Sequence, residues 1–224
     1  FWALFARRYE GISPDRISFD LVNEPCERED LNDQLGAKTK VPGHKYLRVA
    51  TAAVEAIRAE NPNHLIIADG NSKGAEVVPE LIELGIAQSC RGYTPGTLTH
   101  FQAPWSAAGH ALTNPPVWPG EMPDGEHWDR ARLEKEYVPW IDLAKMGIGV
   151  HCGECGCYTK TPHAVFLAWF EDLLDLLTDA GIGYAIWNFR GAFGVLDSGR
   201  EDVEYAEWNG HHLDKKLLDL MMRY

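Results

Sequence analysis

The chain has 224 residues, 45% of them hydrophobic, which is enough to bury a substantial core. Its 33 acidic residues outnumber its 21 basic ones, and the net charge is −12. Because no basic cluster is dense enough to follow a phosphate backbone, we expect no nucleic-acid partner. No apolar run reaches the roughly 18 residues that a membrane span needs, so we expect no membrane partner either.

The first element is predicted to be a helix, with Phe1, Leu4 and Phe5 on one face and an end before Gly11. This start lacks an initiator Met and the charged region and cleavage pattern of a signal peptide. We expect the natural chain to begin upstream, which leaves the compartment open and compatible with secretion.

Further along the chain, apolar stretches of strand length alternate with helical patterns, which indicates repeated βα units around a parallel sheet. Strands are predicted over residues 17–22, 65–68, 97–100, 148–152 and 184–187, and helices over 44–60, 78–84, 130–145, 162–180 and 213–223. Five strands follow one orphan helix. The pattern predicts an α/β fold, a (β/α)8 TIM barrel that lacks its first three β-strands, with residues 1–224 forming a single domain.

Two glutamates stand at the ends of predicted strands. Asn23-Glu24-Pro25 closes the first strand, and Gly153-Glu154 follows the fourth. Side chains at the carboxyl ends of parallel barrel strands converge on one face, so residues far apart in sequence can meet one substrate. A pair of carboxyl groups is what glycoside hydrolysis requires, with one protonating the leaving oxygen and the other attacking or assisting at the anomeric carbon.

Four segments, residues 19–25, 98–101, 153–156 and 186–189, resemble in order and spacing the later motifs of glycoside hydrolase family 5. This family contains cellulases, mannanases and related retaining β-glycanases. The resemblance implies that Glu24 is the general acid/base and that Glu154 is the nucleophile.

The same resemblance implies three sugar contacts. Asn23 would hold the sugar 2-hydroxyl, His100 would lie beside the nucleophile and the cleaved sugar, and Trp187 would stack on a sugar ring. The family usually has a tyrosine just after the histidine, where this chain has Phe101 and Gln102. We therefore expect Glu154 to lack a phenol partner, with Gln102 as the substitute hydrogen-bond donor.

The strand-end loops contain further candidates for substrate contact. Trp105, and with it Trp118 and Trp128, lies in a long loop of the kind that shapes a binding cleft. For four polar residues in such loops the sequence does not separate ligand contact from solvation: Asp69, Asn71, Arg190 and Asp197.

The implied activity is that of an endo-acting retaining hydrolase of a β-1,4-linked glucan, with a polysaccharide or oligosaccharide as its partner and without metal or organic cofactor. Activity on β-mannan or another β-glucan stays open, because that choice depends on loop contacts to sugar hydroxyls. An inactive carbohydrate-binding fragment also stays open, since the missing early strands normally supply an arginine that orients the nucleophile.

An open five-stranded sheet has two free edges, which natural proteins avoid. It would also expose inner-face apolar residues such as Ile17 and Phe19. We therefore expect another segment or chain to complete the barrel.

The cysteines raise a rival hypothesis, because Cys152-x-x-Cys155-x-Cys157, next to His151, has the tight spacing of zinc sites, and Cys26 follows the first glutamate. A second tight ligand pair is absent, and successive strand residues point in opposite directions. We therefore expect buried thiols, and neither a metal site nor a disulfide framework.

Overall fold

The computed structural model describes residues 1–28 and 38–224. They cluster into two compact units, the first made of Phe1–Cys90 with Asp142–His151 and the second of Arg91–Ile141 with Cys152–Tyr224. The expectation of a single domain over residues 1–224 stays a prediction. In the part of the chain that is described, no helix is both long and apolar enough to cross a bilayer.

The described residues form five strands of a main sheet and three short two-stranded pairs. In chain order the strands are β1 (Ser18–Asp20), β2 (Glu27–Arg28), β3 (Lys38–Thr39), β4 (Leu65–Asp69), β5 (Ala87–Gly92), β6 (Gly120–Glu121), β7 (His127–Trp128), β8 (Val150–Cys155), β9 (Gly183–Ile186), β10 (Ala206–Trp208) and β11 (His211–Leu213).

Helices separate most of the main strands. In chain order they are α1 (Trp2–Arg8), α2 (Gly43–Arg58), α3 (Asn71–Gly74), the 3-10 helix Pro79–Leu84, α4 (Gly96–Thr99), α5 (Arg130–Lys145), α6 (His163–Asp179) and α7 (Lys215–Met221).

In the first unit the strand order is β1-β4-β5-β8, and the pairs β1–β4 and β4–β5 are parallel. Helix α2 presents one buried stripe to this part of the sheet, because its apolar residues recur at helical spacing. The stripe consists of Tyr46, Ala50, Val54 and Ile57.

Phe19 belongs to this core and is only 4% exposed, so the expectation that it lies on an open inner face is wrong. Its ring packs against Trp2 and stacks on His64 at 4.0 Å between centroids. Ile17 is partly buried against the same core. Strand alternation instead places Ser18 and Asp20, both exposed, on the opposite face.

The second unit contains the strand order β5-β8-β9, with α6 packed on it. Its close packing depends on Gly92, because a Cβ at this position would lie 2.4 Å from the Cβ of Cys155 and 2.9 Å from Cδ2 of Leu173. Only glycine lets β5, β8 and α6 approach so closely.

Most predicted elements are confirmed with shifted ends, but the third strand is wrong. Residues 97–100 fall largely in α4, and the strand is β5, ten residues earlier. Gln88 interrupts the apolar pattern of this strand. That side chain is buried, and it pairs with both the N–H and the carbonyl oxygen of Val78 at 2.8 and 2.9 Å.

Candidate active site

Glu24 lies just beyond β1 in the first unit, half-buried, with its backbone in the left-handed region at φ 45°. This conformation costs a non-glycine residue about 1–3 kcal/mol, so the surroundings must hold it. The Glu24 N–H donates to Oδ2 of Asp69 at 2.7 Å. Asp69 therefore fixes the backbone from which the Glu24 carboxyl group projects.

Asp69 is itself held in place. It is fully buried at the end of β4, and its carbonyl oxygen accepts a hydrogen bond from the hydroxyl of Tyr46 on α2 at 2.7 Å. The sequence showed only an Asp between an apolar strand and a glycine. A short carboxylate side chain at the end of an apolar strand is the sequence signal that could have identified Asp69 as the partner of the Glu24 backbone.

The neighbouring asparagines have different settings. Asn23, the residue before Glu24, is exposed, and its contact with a sugar hydroxyl stays a prediction. Asn71 is buried, and its side chain accepts from the N–H and donates to the carbonyl oxygen of Val41 at 2.8 and 2.6 Å. Asn71 therefore has a structural role in the loop after β4.

Glu154 lies in β8 in the second unit, with its side chain 17% exposed. The hydroxyl of Tyr93 donates to its Oε2 at 3.0 Å, and Nη2 of Arg91 lies 3.6 Å from its Oε1. The expectation that Glu154 lacks a phenol partner is therefore wrong. The phenol follows β5, which sequence reasoning missed when it placed the third strand at residues 97–100.

His100 follows α4 and lies in the same neighbourhood. Its Nδ1 is 2.9 Å from the hydroxyl of Thr99, and its ring is 5.0 Å from that of Tyr93. Gln102 takes a different direction, because its side-chain amide donates to the carbonyl oxygen of Leu112 at 3.3 Å. The donor position beside Glu154 that we expected from Gln102 is filled by Tyr93.

An aromatic cluster borders this carboxylate, with the buried ring of Phe193 at its centre. Phe193 lies 6.1 Å from Tyr93, 5.6 Å from His100, 5.7 Å from Tyr158 and 6.4 Å from Trp105. Trp105 is 45% exposed, so part of its ring is available for a ligand.

Trp187 directly follows β9 and is 48% exposed. Its backbone N–H donates to the carbonyl oxygen of Cys155 at 2.8 Å, which ties the residue to β8. Trp118 and Trp128 are instead buried. The indole N–H of Trp118 donates to the carboxylate of Asp172 at 2.8 Å, and the guanidinium of Arg132 lies over the ring of Trp128. These two tryptophans therefore pack the loop and present no exposed ring face to a sugar.

Asp197 connects the loop after β9 to the hairpin β10–β11. Its carboxylate accepts from Nε of Arg190 at 2.6 Å, Nδ1 of His211 at 2.8 Å and the N–H of His212 at 2.9 Å. The His212 N–H, followed by the other two donors, lowers the pKa of Asp197 from 3.8 to about 2. This ionised carboxylate therefore anchors the loop that begins at Trp187.

The cysteines form no disulfide with one another. Within residues 1–28 and 38–224, no group of three or more His, Cys, Asp or Glu side chains is arranged to hold a metal ion. The thiols of Cys152 and Cys155 donate to the carbonyl oxygens of Glu154 and Ala185. Burial raises the pKa of the Cys157 thiol, which disfavours the thiolate that zinc binds.

The fold matches that of solved glycoside hydrolases. A crystal structure described as a glycoside hydrolase has a TM-score of 0.88 and 39% identity, covering 99% of this chain and 64% of that chain. A hyperthermophilic endo-β-1,4-glucanase in complex with substrate has a TM-score of 0.72 over 99% of this chain, and its 18% identity makes this a likeness of fold alone. The predicted fold class is confirmed as part of a (β/α)8 barrel.

The family model described as Cellulase (glycosyl hydrolase family 5) matches residues 1–192. The chain belongs to glycoside hydrolase family 5. Endoglucanase C of Acetivibrio thermocellus is 23% identical over 212 residues, covering 84% of this chain and 58% of that protein. The chain thus spans less than two thirds of the length of this relative and of the two solved structures.

Replacing Asp69 tests its hold on Glu24. We expect Asp69→Ala to lower the free energy of unfolding by about 1.5–3 kcal/mol, since a charge-assisted hydrogen bond is lost. We expect turnover to fall on the order of 100-fold, because the carboxyl group of Glu24, the predicted acid/base, would be displaced. Asp69→Asn keeps an acceptor oxygen and should recover part of both losses. Chemical denaturation and steady-state kinetics measure the two effects, and Asp15→Ala, at an exposed turn, is the control. Unchanged turnover in a folded Asp69→Ala variant would contradict the role.

Asp197 makes stability depend on pH. Because its pKa is lower in the folded chain, its contribution is present above about pH 4 and is lost as pH falls towards 2. The difference in free energy of unfolding between wild type and Asp197→Asn should therefore shrink over that interval, as followed by urea unfolding at several pH values. Asp179→Asn, at an exposed position on α6, is the control. A difference for Asp197→Asn that does not change with pH would refute the anchor.

Proposed function

We propose that this chain is the catalytic part of a retaining, endo-acting hydrolase of a β-1,4-linked glucan. The observation that carries the proposal is the setting of Glu154, a carboxylate near a strand end with a phenol on one oxygen and a guanidinium facing the other. Membership of a glycoside hydrolase family supports the reaction class, and the endoglucanase relative supports the substrate class.

In the first step Glu154 acts as the nucleophile. One carboxylate oxygen forms a bond to the anomeric carbon while the glycosidic bond to the leaving oxygen breaks. Glu24 protonates that oxygen, so the leaving sugar departs as an alcohol. The product is a glycosyl ester of Glu154, and Glu24 is left as a carboxylate.

In the second step the roles reverse. Glu24 takes a proton from water, whose oxygen bonds to the anomeric carbon. The ester bond breaks, and its electron pair returns to Glu154 as a carboxylate. Both carboxyl groups regain their starting states, so the cycle needs no metal or organic cofactor.

Aromatic and polar neighbours would hold the sugar. Trp187 and Trp105 each expose nearly half of their surface and suit the apolar faces of sugar rings. Asn23 would hydrogen-bond the 2-hydroxyl beside the reacting carbon, and His100 would border the cleaved sugar.

Amide substitutions separate the two glutamates. We expect Glu154→Gln to be almost inactive on soluble β-1,4-glucan, because the nucleophile is lost. Glu24→Gln should lose roughly 10²- to 10⁴-fold on glucan but much less in the first step on an aryl glycoside whose leaving group needs no proton. Glu134→Gln, at an exposed position on α5, is the control. Wild-type rates in either variant would remove that glutamate from the mechanism.

A panel of polysaccharides tests the substrate class. Release of reducing ends from β-1,4-glucan at a higher kcat/KM than from β-mannan or mixed-linkage β-glucan is the expected result. Preference for mannan would reassign the substrate, and binding without release would favour the carbohydrate-binding fragment.

We further propose that additional βα units complete the barrel beside β1. In the first unit β1 stands at the end of the strand order. A groove of about 330 Å³ beside it is lined mainly by apolar residues, among them Trp2, Val22 and Val49. Phe1 and Leu4 next to it are 83% and 66% exposed, although they are apolar. The relatives' greater length supplies the kind of segment that would cover this surface.

Residues 1–224 expressed alone should therefore self-associate and bind a hydrophobic dye, since the groove would be uncovered. The double variant Leu4→Lys/Phe5→Lys should reduce both effects, whereas Leu65→Lys, an exposed apolar position elsewhere in the unit, should not. Sedimentation and dye fluorescence provide the measurements. A monodisperse, cooperatively melting monomer would contradict the proposal.

A further inference from the structure

Arg91 is a buried cation beside Glu154, and none of the four family-like segments contains it. It lies in β5, one strand from Glu154 in the order β5-β8, with its side chain 5% exposed. Its Nη2 is 3.6 Å from Oε1 of Glu154, while the hydroxyl of Tyr93 holds the other carboxylate oxygen. Arg91 and Tyr93 therefore contact different oxygens of the Glu154 carboxylate.

The backbone of Arg91 is held by a side-chain hydrogen bond in addition to the pairing of β5 in the sheet. The buried hydroxyl of Tyr137, on α5, donates to the carbonyl oxygen of Arg91 at 2.9 Å. A guanidinium keeps its proton under all conditions in which proteins fold, so the positive charge is permanent. Because burying such a charge is costly unless a carboxylate faces it, Arg91 and Glu154 stabilise each other in their ionised forms.

Charge on Glu154 changes during the proposed reaction, and this gives Arg91 an unequal effect on the two steps. In the first step the carboxylate loses its charge as it bonds to the anomeric carbon. In the second step water attacks, the ester bond breaks and the charge reappears on Glu154. A fixed cation stabilises the negative charge that forms on Glu154 in the transition state of ester breakdown. In ester formation this charge is lost instead, so the cation accelerates breakdown of the ester more than its formation.

We propose that Arg91 is a positioning residue that promotes breakdown of the glycosyl-enzyme by stabilising the departing Glu154 carboxylate. The inference rests on the proposed function, because it requires Glu154 to be the nucleophile. It assigns to a residue of β5 the electrostatic support that the sequence led us to expect from an early strand.

The test uses the full-length protein and 2,4-dinitrophenyl β-cellobioside, whose good leaving group makes ester breakdown the slow step. We expect Arg91→Met to lower kcat roughly 100-fold. KM should fall with it, so that kcat/KM, which reports ester formation, changes far less. A burst of dinitrophenolate should precede the slow steady state. Arg91→Lys keeps the charge and should recover much of kcat.

Arg200→Met is the matched control for Arg91→Met. Arg200 is also buried in the second unit, but its guanidinium donates to the carbonyl oxygens of Thr161 and Cys157. This variant should melt at a lower temperature while the folded enzyme keeps wild-type kcat and KM. The comparison separates loss of a buried guanidinium in general from loss of the one beside Glu154.

The outcomes distinguish the two proposals. If mass spectrometry of wild type inactivated by a 2-fluoro-glycoside finds no sugar on Glu154, the proposed function fails. If wild type carries the adduct but folded Arg91→Met keeps wild-type kcat, or loses kcat and kcat/KM equally, the role of Arg91 is overturned. Should Arg91→Met not fold, Arg91→Gln provides the neutral variant and is judged by the same two criteria.

Discussion

Alternation of side chains along one strand is the constraint on which the surroundings of Glu154 depend. Arg91 and Tyr93 stand two positions apart, so both face the same side and reach the two oxygens of one carboxylate. Gly92 between them faces the other way, where Cys155 and Leu173 leave no room for a Cβ. The close approach on one face and the two donors on the other thus arise from three consecutive residues.

Glu24 is held by a different principle. Its strained backbone is fixed through its own N–H, which donates to the carboxylate of Asp69. Glu154 is instead held through its carboxylate oxygens. The difference suits the proposed roles, since an acid/base must exchange protons freely, whereas a nucleophile must present one oxygen in a fixed direction.

The sequence was sufficient for the parts of the fold that rest on periodicity. Helices α2, α5 and α6 and strands β4 and β9 carry regular apolar patterns, and they were predicted with small end errors. Strand β5 was missed because Gln88 and Ser89, both fully buried, break the apolar pattern, and the Gln88 amide pairs with the backbone of Val78. Because the sequence analysis missed β5, it also missed Arg91 and Tyr93 as neighbours of Glu154. Their contacts with Glu154 join residues about sixty positions apart, which local patterns do not encode.

The anchor at Asp197 lies outside the family match, which ends at residue 192, and so does its hairpin partner His211. The loop that starts at Trp187 therefore begins within the residues that the family model matches and is fastened by residues beyond that match. Replacing β10–β11 by the corresponding segment of another member is therefore a route to moving Trp187, the proposed sugar platform, without altering either glutamate.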